Sequence, residues 1–317
     1  AMLCVSANAM HTKNAVEERT FYILKNMMTK LYLTFVFTFC LLGNIKAQTF
    51  NSINGNSQTG LRADSIAKKI LDTAKYKVGY VYRFAPDSVV PSMKKEAHTL
   101  LEIGDHYSVF CDRYRLAHDS IVDRLARKND AGTMALGEIV GTLKKAKFDE
   151  NIVFDYSAKK ETVQKTIGYL HHYQYDEPLT TPEWELAEGD TTILGYHCNK
   201  AITTLFGRSY VAWYAPDLAM PYGPYKFNGL PGLALRVADT QGQFDFSAES
   251  IEKADGYVPI YLLAHKEIIK TSRKNVRKAY ANFCADPLSA LSGQGISVSE
   301  EDKARVQSRP YNPIERD

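Results

Sequence analysis

Large apolar residues recur at every second position through much of this chain, the period of strands with one buried face. Between Lys75 and Phe84, Tyr76, Val78, Tyr80 and Tyr82 share one side and Val81 takes the other, until Pro86-Asp87-Ser88 breaks the run. After the turn signal Gly104-Asp105, the stretch His106–Tyr114 alternates again through Tyr107, Val109 and Cys111. From Asn151 onward, strands are expected at the roughly 8–12-residue spacing of a meander. They are 152–156, 162–169, 171–175, a long apolar-rich run 191–205 after the turn signal Glu188-Gly189-Asp190, then 209–214, 233–239 and 244–246. Across Thr240-Gln241-Gly242, Phe244 and Phe246 are placed to meet Leu235 and Val237 in a hairpin.

The period lengthens twice. Ser120 and Asp123 form an N-cap pair ahead of Ile121, Val122, Leu125 and Ala126 at helical spacing, and Met134–Leu143 reads as a second helix. From His265 to Cys284, Ile269, Val276, Tyr280 and Phe283 make one apolar stripe opposite Lys266, Lys270, Arg273, Lys274, Arg277 and Lys278. Two stretches are open: 64–71 is a short helical turn or the end of an arm, and 93–103 is helix or the lead into a strand. The fold class expected is α+β, mainly an antiparallel β meander in an open barrel or half-barrel, with covering helices including one at the C-terminus. Its parts are a flexible N-terminal arm over 48–74, a single β-rich domain over 75–287 and a polar tail over 288–317.

The first residues belong to none of these. Lys30, the apolar run 31–43 and Ile45-Lys46-Ala47 follow the order of a secretory signal peptide, with cleavage after Ala47 and Met27 or Met28 as its start. The apolar run is too short to span a bilayer, so no transmembrane anchor is expected after cleavage, and the mature chain is expected in the periplasm or otherwise exported. The leader holds five of the 39 Lys and Arg residues and two of the 36 Asp and Glu, so the exported part is close to neutral. A neutral chain has no electrostatic case for binding nucleic acid. Twenty tyrosines agree with a sheet-rich fold. Three cysteines remain, Cys111, Cys198 and Cys284, enough for one disulfide or for three small buried side chains.

Candidate chemistry is sparse. The chain carries no H-E-x-x-H, G-x-S-x-G, P-loop or dinucleotide-binding motif, so no catalytic residue and no cofactor is assigned. His171-His172 and His197-Cys198 are strand neighbours that point to opposite faces, which argues against a metal site at either. Asp176, Glu177, Glu183 and Glu185 read as solvated charges around a proline-containing loop. Tyr210, Trp213, Tyr214, Tyr222 and Tyr225 crowd one region and are the candidate lining of a ligand cleft or, equally, heavy side chains of a sheet core.

Those aromatics flank the chain's most distinctive stretch, 222–233, in which Gly223, Pro224, Gly229, Leu230, Pro231, Gly232 and Leu233 impose a special backbone path. A turn followed by a strand is no phosphate cradle, which needs a helix start. Gly232 is expected at positive φ or against a close backbone neighbour. This Gly-Leu-Pro-Gly-Leu segment, with Gly223-Pro224-Tyr225-Lys226-Phe227 before it, resembles the hallmark of the GLPGLI family of exported Gram-negative envelope proteins. The segments 195–201, 206–208, 212–214 and Asn312-Pro313-Ile314-Glu315 are similar as well, while Ala234 stands where the motif ends in isoleucine. The resemblance implies export and an envelope location and carries no established activity. The expected role is therefore binding or carrying a small apolar ligand or a peptide, or docking on an envelope protein partner at an outer-membrane complex; a hydrolase comes third.

Overall fold

The computed structural model describes residues 65–128, 133–168, 171–288 and 310–316, so the expected leader lies outside the described residues. The chain runs β1 (Lys68–Thr73), β2 (Tyr76–Phe84), β3 (Lys95–Ile103), β4 (Tyr107–Asp112), α1 (Arg113–Lys128), α2 (Thr133–Lys145), β5 (Glu150–Asp155), β6 (Lys160–Ile167) and β7 (His171–Pro178). It continues through β8 (Glu185–Ile193), β9 (Tyr196–Leu205), β10 (Arg208–Ala215), β11 (Leu233–Asp239), β12 (Phe244–Lys253), β13 (Pro259–Leu263), β14 (Ile269–Lys270) and α3 (Arg273–Ala285).

Two antiparallel meanders build one sheet of 12 strands in the order β14-β7-β6-β5-β4-β3-β2-β12-β11-β10-β9-β8. They join where β2 pairs antiparallel with β12, and only the short β14 runs parallel to its neighbour. The two ends of the order, β14 and β8, do not pair, so the sheet is open and the fold is α+β, mostly antiparallel β. The alternation anticipated in β2 is present: Val78, Tyr80 and Tyr82 are buried in one cluster with Leu101, Phe110, Ile152, Phe154, Val237 and Phe246. A smaller cluster of Ala74, Val109, Cys111, Val153 and Ile260 lies on the other side, packed with residues of β1, α1 and β13.

Several local expectations change. The stretch 95–103 is a strand, and the end of the expected arm, Lys68–Thr73, is an edge strand paired with β13, because Leu71 packs on the smaller cluster. Helix α1 begins at Arg113, seven residues before the expected cap, where Asp112 accepts from the Tyr114 amide at 2.8 Å. Glu188-Gly189-Asp190 is a bulge inside β8, with Gly189 at φ 124°, and the turn sits at Leu194-Gly195, where both residues have positive φ. The C-terminal helix starts only at Arg273, capped by the Ser272 hydroxyl, since residues 269–270 extend along β7. The end of the polar tail is docked: Asn312 and Glu315 are buried, and Arg208 donates to the Pro313 carbonyl at 2.7 and 3.1 Å. Cys111, Cys198 and Cys284 all occupy buried positions.

Candidate functional site

The connection between β10 and β11 folds back on itself. Gly229 donates to the Pro221 carbonyl (3.0 Å), Phe227 to Pro224 (3.1 Å) and Ala234 to Tyr222 (2.9 Å). Such close turns exclude side chains at two points. A Cβ on Gly223 would stand 2.1 Å from the Phe227 carbonyl oxygen, and one on Gly232, at φ 153°, would stand 2.3 Å from the Ala215 oxygen. Tyr225 adopts φ 54°, a conformation that costs a bulky residue about 1–3 kcal/mol and persists only under strong constraint. The constraint is burial: this turn drives Tyr225, Lys226 and Phe227 into the core, where Phe227 meets Tyr210 edge-on at 4.6 Å and Tyr225 stacks at 6.1 Å from Phe246.

Lys226 is the consequence of that geometry. Its fully buried ammonium contacts Glu161 of β6 at 2.9 Å, Glu177 of β7 at 2.5 Å and Glu315 of the C-terminal segment at 3.0 Å. Arg273 at the start of α3 adds a second cation, 2.8 Å from Glu315, which also accepts from the Tyr225 hydroxyl at 2.6 Å. Burial alone would push the Lys226 ammonium below its ordinary value, but Glu315, Glu161 and Glu177 hold it above. Burial works to raise Glu315 too, and Lys226 with Arg273 outweighs it, leaving this carboxyl below the usual range. Glu161 is pushed up to about 7, because desolvation exceeds the pull of Lys226 and a hydrogen bond to the neighbouring Glu177 carboxyl favours the protonated form. Three carboxylates facing two cations therefore hold a proton near neutrality. The cluster ties the glycine-proline segment to β6, β7, α3 and the C-terminal segment, a stabilising role inside the protein. Glu177 was expected among solvated charges. The available signal was Lys226 itself, a lysine between Tyr225 and Phe227 in an otherwise apolar, turn-rich segment.

The five candidate aromatics do not converge on one cleft. Tyr210, Tyr214 and Tyr225 are core residues, with the Tyr210 hydroxyl donating to the Ile314 carbonyl at 3.4 Å. Trp213 lies on the opposite side of β10 from Tyr210, against the bulge at Gly189 and the Lys200 stem. Half-buried Tyr222 packs with Tyr156 at 5.2 Å. Beside this core, Glu150, Lys165, Tyr280 and Tyr311 line a cavity of about 20 Å³, room for a single water. Asn228, buried in the same glycine-proline segment, makes no side-chain hydrogen bond among the described residues.

A wider concavity lies on the other side of the sheet. Lys77 of β2, Leu100 of β3, Arg113 of α1 and Glu249, Ser250 and Glu252 of β12 line a groove of about 520 Å³. Its shape follows from a β-bulge: the β12–β2 register shifts between Ala248 and Ser250, leaving Glu249 without a cross-strand partner. Glu249 meets Arg113 at 2.7 Å and His98 at 3.3 Å, while Lys77 reaches Glu252 at 3.6 Å. Gly79 lies directly under the Arg113 and Ser250 side chains. A Cβ there would stand 2.5 Å from Arg113 Nη2 and 2.7 Å from Ser250 Oγ, so the missing side chain lets the guanidinium lie across the sheet. Next to Lys77 in register, Glu102 is 4% exposed, and burial pushes its carboxyl up to about 7 with only Lys77 opposing. None of these residues was singled out in the sequence, since a bulge leaves no local motif.

Among the described residues no group of three or more His, Cys, Asp or Glu side chains is arranged to hold a metal ion, and His172, its ring 5.7 Å from His265, is held by burial down to about 4. No described helix is long and apolar enough to cross a membrane.

No family model and no curated protein matches the chain. Two solved structures of PNGF-II, in P21 and C2 space groups, are similar to it, each with a TM-score of 0.43, at 15% and 16% identity. Each match covers 65% of this chain, which spans about a third (32%) of the PNGF-II chain. Likeness at that level bears on neither the fold assignment nor the function of this protein.

Proposed function

We propose that this chain is an exported envelope protein of the GLPGLI type that binds a peptide segment, held in the groove over the Glu249 bulge. The groove is the observation that carries this reading: its volume lies within the range of small-ligand sites, and it offers cations and carboxylates within one another's reach beside the apolar Leu100. A peptide presents both signs of charge and apolar side chains together. Binding of an apolar small molecule is less well supported, because the aromatic residues that would shelter it are engaged in the core. The bulge also breaks strand pairing locally, which turns Glu249 into the groove beside Arg113.

Native mass spectrometry of protein purified from its own envelope tests the proposal. A retained peptide is expected, and it is expected to be lost from the double variant Arg113→Ala/Glu249→Ala while Trp213→Ala retains it. Retention of an apolar molecule, retention of nothing, or loss caused by Trp213→Ala alone would overturn the assignment of the groove.

A further inference from the structure

The loop joining β2 to β3 presents apolar side chains to solvent and is nonetheless tied down by hydrogen bonds. Val89 is 74% exposed and Met93 69%, with Val90 and Pro91 also exposed between them. An apolar set so displayed is uncommon on a water-facing turn. The loop's conformation is held from within. Asp87 Oδ1 accepts from the Val89 and Val90 amides at 2.7 and 3.1 Å, and Met93 donates to the Val90 carbonyl at 3.1 Å. Its base is clamped by the C-terminal segment: Asp87 bridges Tyr311, Ser88 donates to the Pro310 carbonyl at 3.3 Å, and Asn312 donates to the Pro86 and Ala85 carbonyls. A tip held this firmly keeps its apolar residues outward without the entropy of a loose loop.

Charge decides what the tip fits. Lys94 and Lys95 follow Met93 directly, and the one acidic side chain of the loop, Asp87, is turned back onto backbone amides. Farther down the strands, Arg83 and Glu96 pair with each other at 3.0 Å. The outward face of the tip is thus apolar at its apex and basic just behind it. That order matches the depth profile of a bilayer with anionic headgroups, where apolar side chains reach the acyl boundary and lysines remain among phosphates. Four exposed side chains are too few for a stable protein interface, which takes about 800 Å² from each partner and a complementary surface. A lipid surface requires no complementary shape.

We propose that the tip formed by Val89, Val90, Pro91 and Met93 inserts into the surface of an anionic bilayer, with Lys94 on the headgroups, making this a peripheral membrane protein. Insertion is independent of any ligand in the groove.

Flotation of the protein, recovered from the soluble exported fraction, with phosphatidylethanolamine vesicles containing or lacking phosphatidylglycerol tests this. The wild type is expected to float with phosphatidylglycerol vesicles and to be partly released by high salt. Val89→Asp/Met93→Asp is expected to lower the floating fraction at least tenfold with an unchanged unfolding midpoint, the sites being exposed. Lys94→Glu is expected to reduce the preference for phosphatidylglycerol. Absence of wild-type flotation, equal flotation of the aspartate variant, or crosslinks from position 93 that lead to a protein instead of lipid in envelopes would overturn the proposal.

Discussion

Glu102 allows a quantitative test of the electrostatics beneath the groove. It is 4% exposed on β3, and its carboxyl is pushed from 4.5 up to about 7 by burial, with Lys77 the only charge that opposes. Between these two values the folded protein holds a proton that the unfolded chain has released, so stability falls as pH rises from about 4.5 to about 7 and stays lower above. That rise in the carboxyl's pKa corresponds to about 3 kcal/mol. Glutamine has the shape of the protonated carboxyl and cannot ionise. Glu102→Gln should therefore match the wild type near pH 4.5 and exceed it by about 3 kcal/mol at pH 8. Glu161, also pushed up to about 7, titrates in both proteins and cancels in the difference. Urea unfolding across pH, followed through the fluorescence of Trp184 and Trp213, measures it. A variant less stable than wild type by the same amount at every pH would refute the reasoning, showing Glu102 ionised and well partnered in the fold.

Other perturbations separate the stabilising parts from the groove. Lys226→Met leaves Glu161, Glu177 and Glu315 without their shared cation and should cost about 3–5 kcal/mol, more at pH 8 than at pH 5, read from urea midpoints at the two pH values. Tyr225→Phe removes the hydrogen bond to the buried Glu315 carboxylate and should cost about 1.5–3 kcal/mol by the same measurement. Gly232→Ala must move the Ala215 carbonyl, 2.3 Å away, and should lose about 3 kcal/mol or more, seen as a lowered thermal midpoint. Gly79→Ala should behave differently: it meets only side-chain atoms, the Arg113 guanidinium, Ser250 Oγ and, at 3.3 Å, Glu249 Cγ, so stability should stay within about 1 kcal/mol while peptide retention in native mass spectrometry falls.

Most strands were legible because their signal is local. Alternation in 76–82, 107–111 and 233–239 reports which side of each strand is buried, and the hairpin of β11 and β12 pairs Val237 with Phe246 across an expected turn. The errors fell where a neighbouring element decides. Residues 68–73 are too polar to reveal a strand, and they become one because β13 offers an edge. Gly189 looked like a turn residue, yet β9 pairs on both sides of it and makes it a bulge. The aromatic cluster around 210–225 was visible, but strand alternation separated Trp213 from Tyr210, and the turn at Pro224 sent Tyr225 into the core.

The sequence by itself determined the antiparallel, sheet-dominated class, the covering C-terminal helix and the special path of residues 223–233, since periodicity, glycine and proline act on the nearest few residues. Only the tertiary structure decided where charge resides. Lys226 meets carboxylates 65 and 49 positions before it and 89 after it, and Arg113 of α1 faces a bulge on β12; such encounters depend on how the sheet curls and pairs, which no stretch of residues contains.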